Sequence, residues 1–356
     1  MVLPGITQIR EAIDAELLEF TKARSSELNA IDSELAPVAK ALSDFVTDGG
    51  KRFRPIFAYL GYLGPGSTPN QNFLKACAAL ELVHVCALIH DDVMDGSDSR
   101  RNKPALHKHF EELHKKNSYK GEPSKFGVAA AILLGDLALS WSDQMISESG
   151  ISTLDASRAA PIFHEMRAEL MAGQYLDVLE GSIAKFDLER SRKIARYKSG
   201  KYSIERPLQF GASLAGESKE LHKVFSNYGL PLGEAFQLRD DILGVFGDSA
   251  ITGKPSGDDI REGKRTVLMA LTASRLSAAD HSTLTAALGN PNLDSSQVAQ
   301  IQQLVKDSGA LDECEALIEQ LLNEALNSLK HPALDAEVAT KLNEMAIAAT
   351  KRKSSR

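Results

Sequence analysis

Along most of this chain the apolar residues recur every three or four positions. In FLKACAALELVHVCALIHDD, residues 73–92, Leu74, Cys77, Ala78, Leu82, Val85, Ile89 and Asp92 fall on or near one helical stripe. FHEMRAELMAGQYLDVLEG, LIEQLLNEALNSLK and AEVATKLNEMAIAATK keep the same period. Alternating runs rich in Val, Ile and Thr and bounded by hairpin dipeptides are nearly missing, and no fixed-period repeat is found. Gly, Pro, Asn and Ser cluster at 63–70, 115–124, 247–258 and 288–296, which punctuates the helical pattern without dividing the composition into halves. The expected fold is all-α: one domain over residues 1–356, a bundle of about a dozen helices.

Composition narrows the function classes. Of 356 residues 43% are hydrophobic and 25% charged, a globular balance with no signature of disorder or fibrous repeats. The net charge of −7 argues against a general nucleic-acid binder, although small anions respond to local fields rather than to net charge. Cys77, Cys86 and Cys314 form an odd set without metal-ligand spacing, so a reducing cytoplasmic setting is expected. The opening MVLPGITQIREAIDAELLEF lacks a basic segment followed by an apolar run, so no signal peptide is expected. The most apolar stretch, residues 126–141, contains Asp136 and falls short of the ~20 residues of a membrane span, so no transmembrane segment is expected. KRKSSR, residues 351–356, is expected to be a disordered basic tail.

Two acidic clusters stand out. In HDDVMDGSDSRRNKP, Asp91 and Asp95 are four apart, so both carboxylates project from one helix face, with Asp92 beside them. Like charges so placed repel by a few tenths of a kcal/mol unless something binds. Mg²⁺ would relieve the repulsion, since it takes one or two carboxylates and completes its shell with water and phosphate oxygens. Arg100 and Arg101 follow, and guanidinium forks suit phosphate. Carboxylates for metal beside guanidiniums for phosphate describe a diphosphate site. Downstream, FQLRDDILGVFGD places Gln237, Asp240, Asp241 and Gly244 on one helical face. The loop TGKPSGDDIREGKRT then brings Lys254 and Lys264 among flexible glycines. RYKSGKYSIERPL offers Lys198 and Lys201, and GGKRFRP offers Lys51, Arg52 and Arg54. The cations gather in the same windows as the acids, although the chain is acidic overall.

The ordered set G-G-K-x-x-R-P, D-D-x-x-D-x-x-x-x-R-R, G-Q-x-x-D, K-[TS] and F-Q-x-x-D-D, over about residues 49–266, resembles the trans-isoprenyl diphosphate synthases (polyprenyl synthetases). The resemblance implies a bundle around a deep cavity and a Mg²⁺-dependent 1'-4 condensation of isopentenyl diphosphate with an allylic diphosphate (dimethylallyl, geranyl or farnesyl). It implies that Asp91 and Asp95, with Asp240 opposite, hold three Mg²⁺, and that Asp92 and Asp241 support them. Arg100, Lys198, Gln237, Lys254 and Lys264 would bind the allylic diphosphate, with Ser199 next to Lys198. Lys51, Arg54, His84 and Arg101 would bind isopentenyl diphosphate, while Gln174 and Asp177 line the cavity. A homodimer is also implied. In mechanism, the departing diphosphate is neutralised, the allylic cation is attacked by the isopentenyl double bond, and a proton is lost, with no Cys, Ser or His nucleophile.

Three positions depart from the family pattern: Asn102 stands for a glycine in R-R-G-x-P, Ser199 for a threonine, and Gly244 for the third acid of the second motif. Product length follows from what lies about one turn, ~5.4 Å, before Asp91. Family members that stop at fifteen carbons often carry aromatics there, whereas this chain has Cys86 and Ala87, with the small Val83 a turn further. An open tunnel favours geranylgeranyl diphosphate, with Trp141 as its floor; farnesyl and longer polyprenyl diphosphates are the alternatives. Two other classes compete. A class I terpene cyclase would show N-D-x-x-S-x-x-x-E where this chain has FQLRDD, and would not need GGKRFRP. A non-catalytic partner subunit tends to lose the acidic motifs, and both are intact here.

Overall fold

A computed structural model describes residues 3–183, 185–216, 218–247 and 256–351. They are almost entirely helical, as the apolar period requires. The chain folds into two compact units, Met1–Ile162 with Pro207–Leu221 and Asp335–Lys341, and Phe163–Arg206 with His222–Leu334 and Leu342–Arg356.

In the first unit, helices α1 (Ile6–Ile31), α2 (Ala36–Thr47) and α3 (Phe53–Leu63) lead to α4 (Gln71–Asp95). Asn70 caps α4, its side chain accepting from the Asn72 and Phe73 amides, and Gly96 in the left-handed region at φ 66 closes it. The stripe read from the sequence is buried from Leu74 to Asp92, but Leu80, Glu81 and Val83 on other faces are buried too. A helix apolar nearly all round is a core helix, and α4 is one. Beyond it a short hairpin, β1 (Ser99–Arg100) with β2 (Lys103–Pro104), pairs Ser99 with Pro104 and Arg100 with Lys103. Its two turn residues, Arg101 and Asn102, have φ of 52 and 60. Tight two-residue hairpins require this left-handed pair, and asparagine is among the non-glycine residues that tolerate it best. Asn102 can therefore stand where the R-R-G-x-P pattern has glycine. Helices α5 (Leu106–Lys116) and α6 (Pro123–Ser147) complete this segment, and α7 (Thr153–Ile183) leads into the second unit.

The apolar helices are longer than the 126–141 stretch suggests. Two of them, Gln71–Asp95 and Pro123–Ser147, are long and apolar enough to cross a membrane by length and composition, and 67% and 39% of their most apolar windows are buried within the molecule.

The second unit includes α8 (Leu188–Ile194), a π-helical stretch Ala195–Glu205 and most of α10 (Lys219–Phe246); α9 (Arg206–Ala215) lies between the last two in sequence. Its core gathers Leu238, Ile242 and Val245 of α10 with Ile260, Leu268, Val298, Ile301, Cys314 and Ile318. Further helices are α11 (Asp258–Glu262), α12 (Val267–Ala273), α13 (Ala278–Ala287), α14 (Ser295–Asp307), α15 (Ala310–Ser328) and α16 (Ala336–Thr350). The sequence breaks at 63–70, 115–124 and 288–296 fall between helices. Lys254 and the tail 352–356 lie outside the described residues.

Candidate active site

The first acidic cluster sits at the C-terminal end of α4. Asp92, 1% exposed, accepts from Arg100 Nε at 2.9 and 3.1 Å, and Arg100 Nη2 lies 3.9 Å from Asp91. A buried carboxylate needs such a partner, because desolvation penalises its charge. Asp91 and Asp95 are only partly buried, one helical turn apart. Arg100 thus has an internal partner, which the reading of it as a phosphate ligand did not include.

Arg52, Arg54 and Arg101 lie in the same unit. His84 is one element of a cationic group: burial, then Arg54, Arg101, Arg100 and Arg52, hold its imidazole well below its usual range, so it is neutral at pH 7. Burial also holds the Arg101 guanidinium below its ordinary value; Glu81 and Asp48 attract it while Arg52 and Arg100 repel it. Arg101 lies over the Phe45 ring at 5.6 Å, and the exposed Lys51 lies 5.8 Å from the Phe53 ring. Such a concentration of positive charge around a neutral donor favours an anion. Sequence reading missed what Arg52 does. It sits at φ 50, 2% exposed, and binds Asp14 at 2.7 Å, Glu81 at 2.7 Å and the Val46 carbonyl at 2.8 Å. In GGKRFRP it is the internal clamp between Lys51 and Arg54. Only its place in that window signalled it.

The chain-length candidates belong to this unit as well. Val83 and Cys86 are buried and Ala87 half-buried. Cys86 Sγ lies 3.7 Å from His90 Nδ1, and burial pushes its thiol up to about 12. His90 Nε2 lies 3.1 Å from the Ile132 carbonyl, and a Cβ at Gly135 would meet it at 2.1 Å. Glycine at 135 therefore leaves room for the His90 ring where it lies. Trp141 is buried, edge-on to Phe20 at 6.2 Å. All three cysteines are free and buried, and burial raises each thiol, away from the thiolate a nucleophile requires.

The second unit brings together Asp177, Lys198, Gln237, Asp240, Asp241 and Lys264. Lys198 Nζ lies 2.7 Å from Asp177. The π-helical stretch carrying Lys198 and the half-buried Ser199 approaches α7 so closely that a Cβ at Gly173 would lie 2.4 Å from the Lys198 amide nitrogen. Gln174, one residue on, is half-buried. Lys201 is turned instead into Glu169, which Arg206 also grips at 2.8 Å. On α10, Gln237 donates to Asp241 at 2.8 Å. Burial above all pushes Asp241 up to about 8; Gln237 opposes this, and the charges of Asp259, Asp240 and Asp177 add to it. Four carboxylates therefore act on one region, an electrostatic load that a hard cation relieves. Lys264 lies 2.7 Å from Glu262 and 3.9 Å from Asp259. Arg239, which sequence reading passed over, donates to both Glu315 oxygens at 2.6 Å and to the Thr350 carbonyl at 2.7 Å, and so anchors the turn that carries Asp240.

Among the described residues no group of three or more His, Cys, Asp or Glu stands ready to hold a metal by itself. The donor chemistry nevertheless fits Mg²⁺, which takes few protein carboxylates and fills its shell with water and phosphate.

The polyprenyl synthetase family model matches residues 36–306. A geranylgeranyl pyrophosphate synthase from Corynebacterium glutamicum, solved with isoprenyl diphosphate and magnesium, is 39% identical with a TM-score of 0.95, covering 98% of this chain and 100% of that one. The geranylfarnesyl diphosphate synthase of Aeropyrum pernix is 33% identical over 301 residues, 83% of this chain and 88% of that protein. The geranylgeranyl diphosphate synthase of Methanosarcina mazei is 32% identical over 266 residues, 71% and 74% of the two chains. Fold and acidic clusters together define an all-α prenyltransferase. The chain belongs to the polyprenyl synthetase family.

Proposed function

We propose that the protein joins isopentenyl diphosphate head-to-tail to an allylic diphosphate, with Mg²⁺, and releases geranylgeranyl diphosphate. The observation that carries this is the group of Arg52, Arg54, Arg100 and Arg101 acting on a neutral His84 beside the acidic end of α4. Guanidiniums beside carboxylates that suit a divalent metal fit a diphosphate substrate.

Asp91, Asp95 and Asp240 would hold the metal ions, three per site as the family resemblance implies, with Asp92 and Asp241 in support. When bound, Mg²⁺ supplies positive charge to the departing diphosphate. Lys198, Gln237, Lys254 and Lys264 bind that diphosphate together with Arg100, and stabilise the charge that grows on it as the C–O bond breaks. Lys51, Arg54, His84 and Arg101 hold isopentenyl diphosphate so that its double bond faces the allylic carbon. A C–C bond forms, and a proton leaves to the released diphosphate, regenerating an allylic diphosphate. Gln174 and Asp177 line the cavity. The first acidic motif belongs to the first unit and the second to the second unit.

Small side chains at Val83, Cys86 and Ala87 support a product longer than fifteen carbons, with Trp141 as the floor. Free, buried cysteines suit a cytoplasmic protein. Ile132 and Leu133 of α6, 44% and 67% exposed, support a homodimer that covers them. Incubation with isopentenyl diphosphate and each allylic starter, with Mg²⁺ or EDTA, tests the reading once the dephosphorylated products are sized. A Mg²⁺-dependent series ending at twenty carbons is expected. A stop at another length overturns the geranylgeranyl assignment, and no elongation with folded protein overturns the synthase.

A further inference from the structure

The π-helical stretch Ala195–Glu205 carries two lysines three residues apart, and they reach different carboxylates of α7. Lys198 pairs with Asp177, and Lys201 with Glu169, eight residues earlier and so about 12 Å away along the helix. Glu169 also accepts from Arg206, at 2.8 Å from Nε and 2.9 Å from Nη2, and Arg206 follows directly on the stretch. One carboxylate thus holds the stretch at its middle and at its end. The Glu169 and Lys201 side chains are each only 13% exposed, so salt screens their pairing little.

Glu165, Glu169, Gly173 and Asp177 recur every four residues on α7, and each meets this stretch or Arg206. Helix α10 closes in as well. A Cβ at Gly233 would lie 2.5 Å from Gly200 Cα, and one at Gly229 would lie 2.7 Å from Glu205 Cα. These approaches are to main-chain atoms, which cannot swing aside as the end of a side chain can. Ser226 donates to Glu205 at 2.7 Å. A π-helical segment is rare, and this one is held by two helices, all within the second unit.

We infer that Glu169 is a positioning residue for the allylic diphosphate: through Lys201 and Arg206 it sets the register in which the π-helical stretch offers Lys198. The inference rests on the proposed reading of Lys198 as a diphosphate ligand. A role by position and a role by charge differ in sign. If Glu169 acted through its charge alone, neutralising it would make the region more positive and tighten the hold on an anion. Acting by position, its loss releases Lys201, lets the stretch shift and weakens that hold.

The test measures binding of inorganic pyrophosphate with Mg²⁺ to the full chain by calorimetry, in wild type, Glu169→Gln, Lys201→Met and Lys201→Arg. Each is read at a temperature where circular dichroism shows it folded. Glu169→Gln and Lys201→Met are expected to weaken pyrophosphate binding about tenfold, as when one hydrogen bond to a charged group is lost. Lys201→Arg keeps a cation able to pair with Glu169 and is expected to stay within about threefold of wild type. In steady-state assays the two weakening variants should raise the KM for geranyl diphosphate about tenfold and that for isopentenyl diphosphate less than about twofold. A purely structural loss would lower the melting point without this split. Unchanged or tighter pyrophosphate binding in Glu169→Gln overturns the inference, as does an equal rise in both KM values. If Glu169→Gln does not fold, Lys201→Met decides, and wild-type affinity in that variant overturns the inference. Wild type that binds no pyrophosphate in the presence of Mg²⁺ overturns the underlying diphosphate reading instead.

Discussion

Arg100 donates from Nε to both oxygens of Asp92, at 2.9 and 3.1 Å, and thereby fixes the middle carboxylate of the first acidic motif to the hairpin that follows it. Asp92 is 1% exposed, so its charge has no recourse to solvent. Arg100→Ala is therefore expected to destabilise the protein by about 3 kcal/mol, since it strands a buried charge. Asp92→Asn combined with Arg100→Gln should recover most of that loss. Urea unfolding of the three variants measures both, and equal stability of Arg100→Ala and wild type would contradict the pairing.

His84 is neutral and surrounded by guanidiniums. In its proposed role as a donor to isopentenyl diphosphate it should contribute about 1.5 kcal/mol, so His84→Ala should raise the KM for that substrate about tenfold while kcat changes less. Because its pKa lies far below 7, the wild-type KM should show no histidine titration between pH 6.5 and 8. Initial rates over that range decide it.

Glu169 predicts a pH effect on stability. Burial raises its pKa, but the bonds to Arg206 and Lys201 outweigh it and leave the carboxyl below its ordinary 4.5. A carboxylate depressed in the folded state binds fewer protons there than in the unfolded chain. Its stabilisation is thus complete above about pH 4.5 and is lost as pH falls through the folded value. Glu169→Gln should destabilise the protein by about 2 kcal/mol at pH 7 and flatten the acid limb of the stability profile. An unchanged acid limb in urea titrations between pH 3 and 7 would sink this account.

Product length should respond to volume at two levels. Ala87→Phe places an aromatic about one turn, ~5.4 Å, before Asp91 and is expected to stop elongation at fifteen carbons. Trp141→Ala removes the proposed floor and should let chains grow past twenty, at a stability cost of about 3 kcal/mol. Chromatography of dephosphorylated products reads both. If the Trp141 variant makes the wild-type product, Trp141 is core packing against Phe20 and no more.

What the sequence made legible is what local periodicity and charge can encode. The 73–92 stripe and the i,i+4 spacing of Asp91 and Asp95 carry over to the structure, as do Arg100 beside Asp92 and Lys198 beside Asp177. Some features had no local signal. The π-helical stretch around Lys198 depends on the close approach at Gly173, which no window of sequence displays. Arg52 could be seen in its motif, but its inward orientation depends on Asp14 and Glu81, 38 and 29 residues away. The close approach of the Asp259 carboxylate to Gly244 joins positions fifteen residues apart. Periodicity reports which face of a helix is apolar; it does not report which distant atom will lie against that face.

Arg239 ties the second acidic cluster to the far end of the chain. The helix turn bearing Asp240 is pinned to a carbonyl 111 residues later, at Thr350, and to Glu315 on the way. During synthesis the second motif leaves the ribosome long before its anchor does. A nascent chain that has emerged only as far as residue 330 contains every acidic residue of both clusters, yet the arginine next to Asp240 still waits for the last helix. The anchor of the Asp240 turn is thus complete only once residues up to Thr350 are in place, although the acidic residues of both clusters lie far upstream of it.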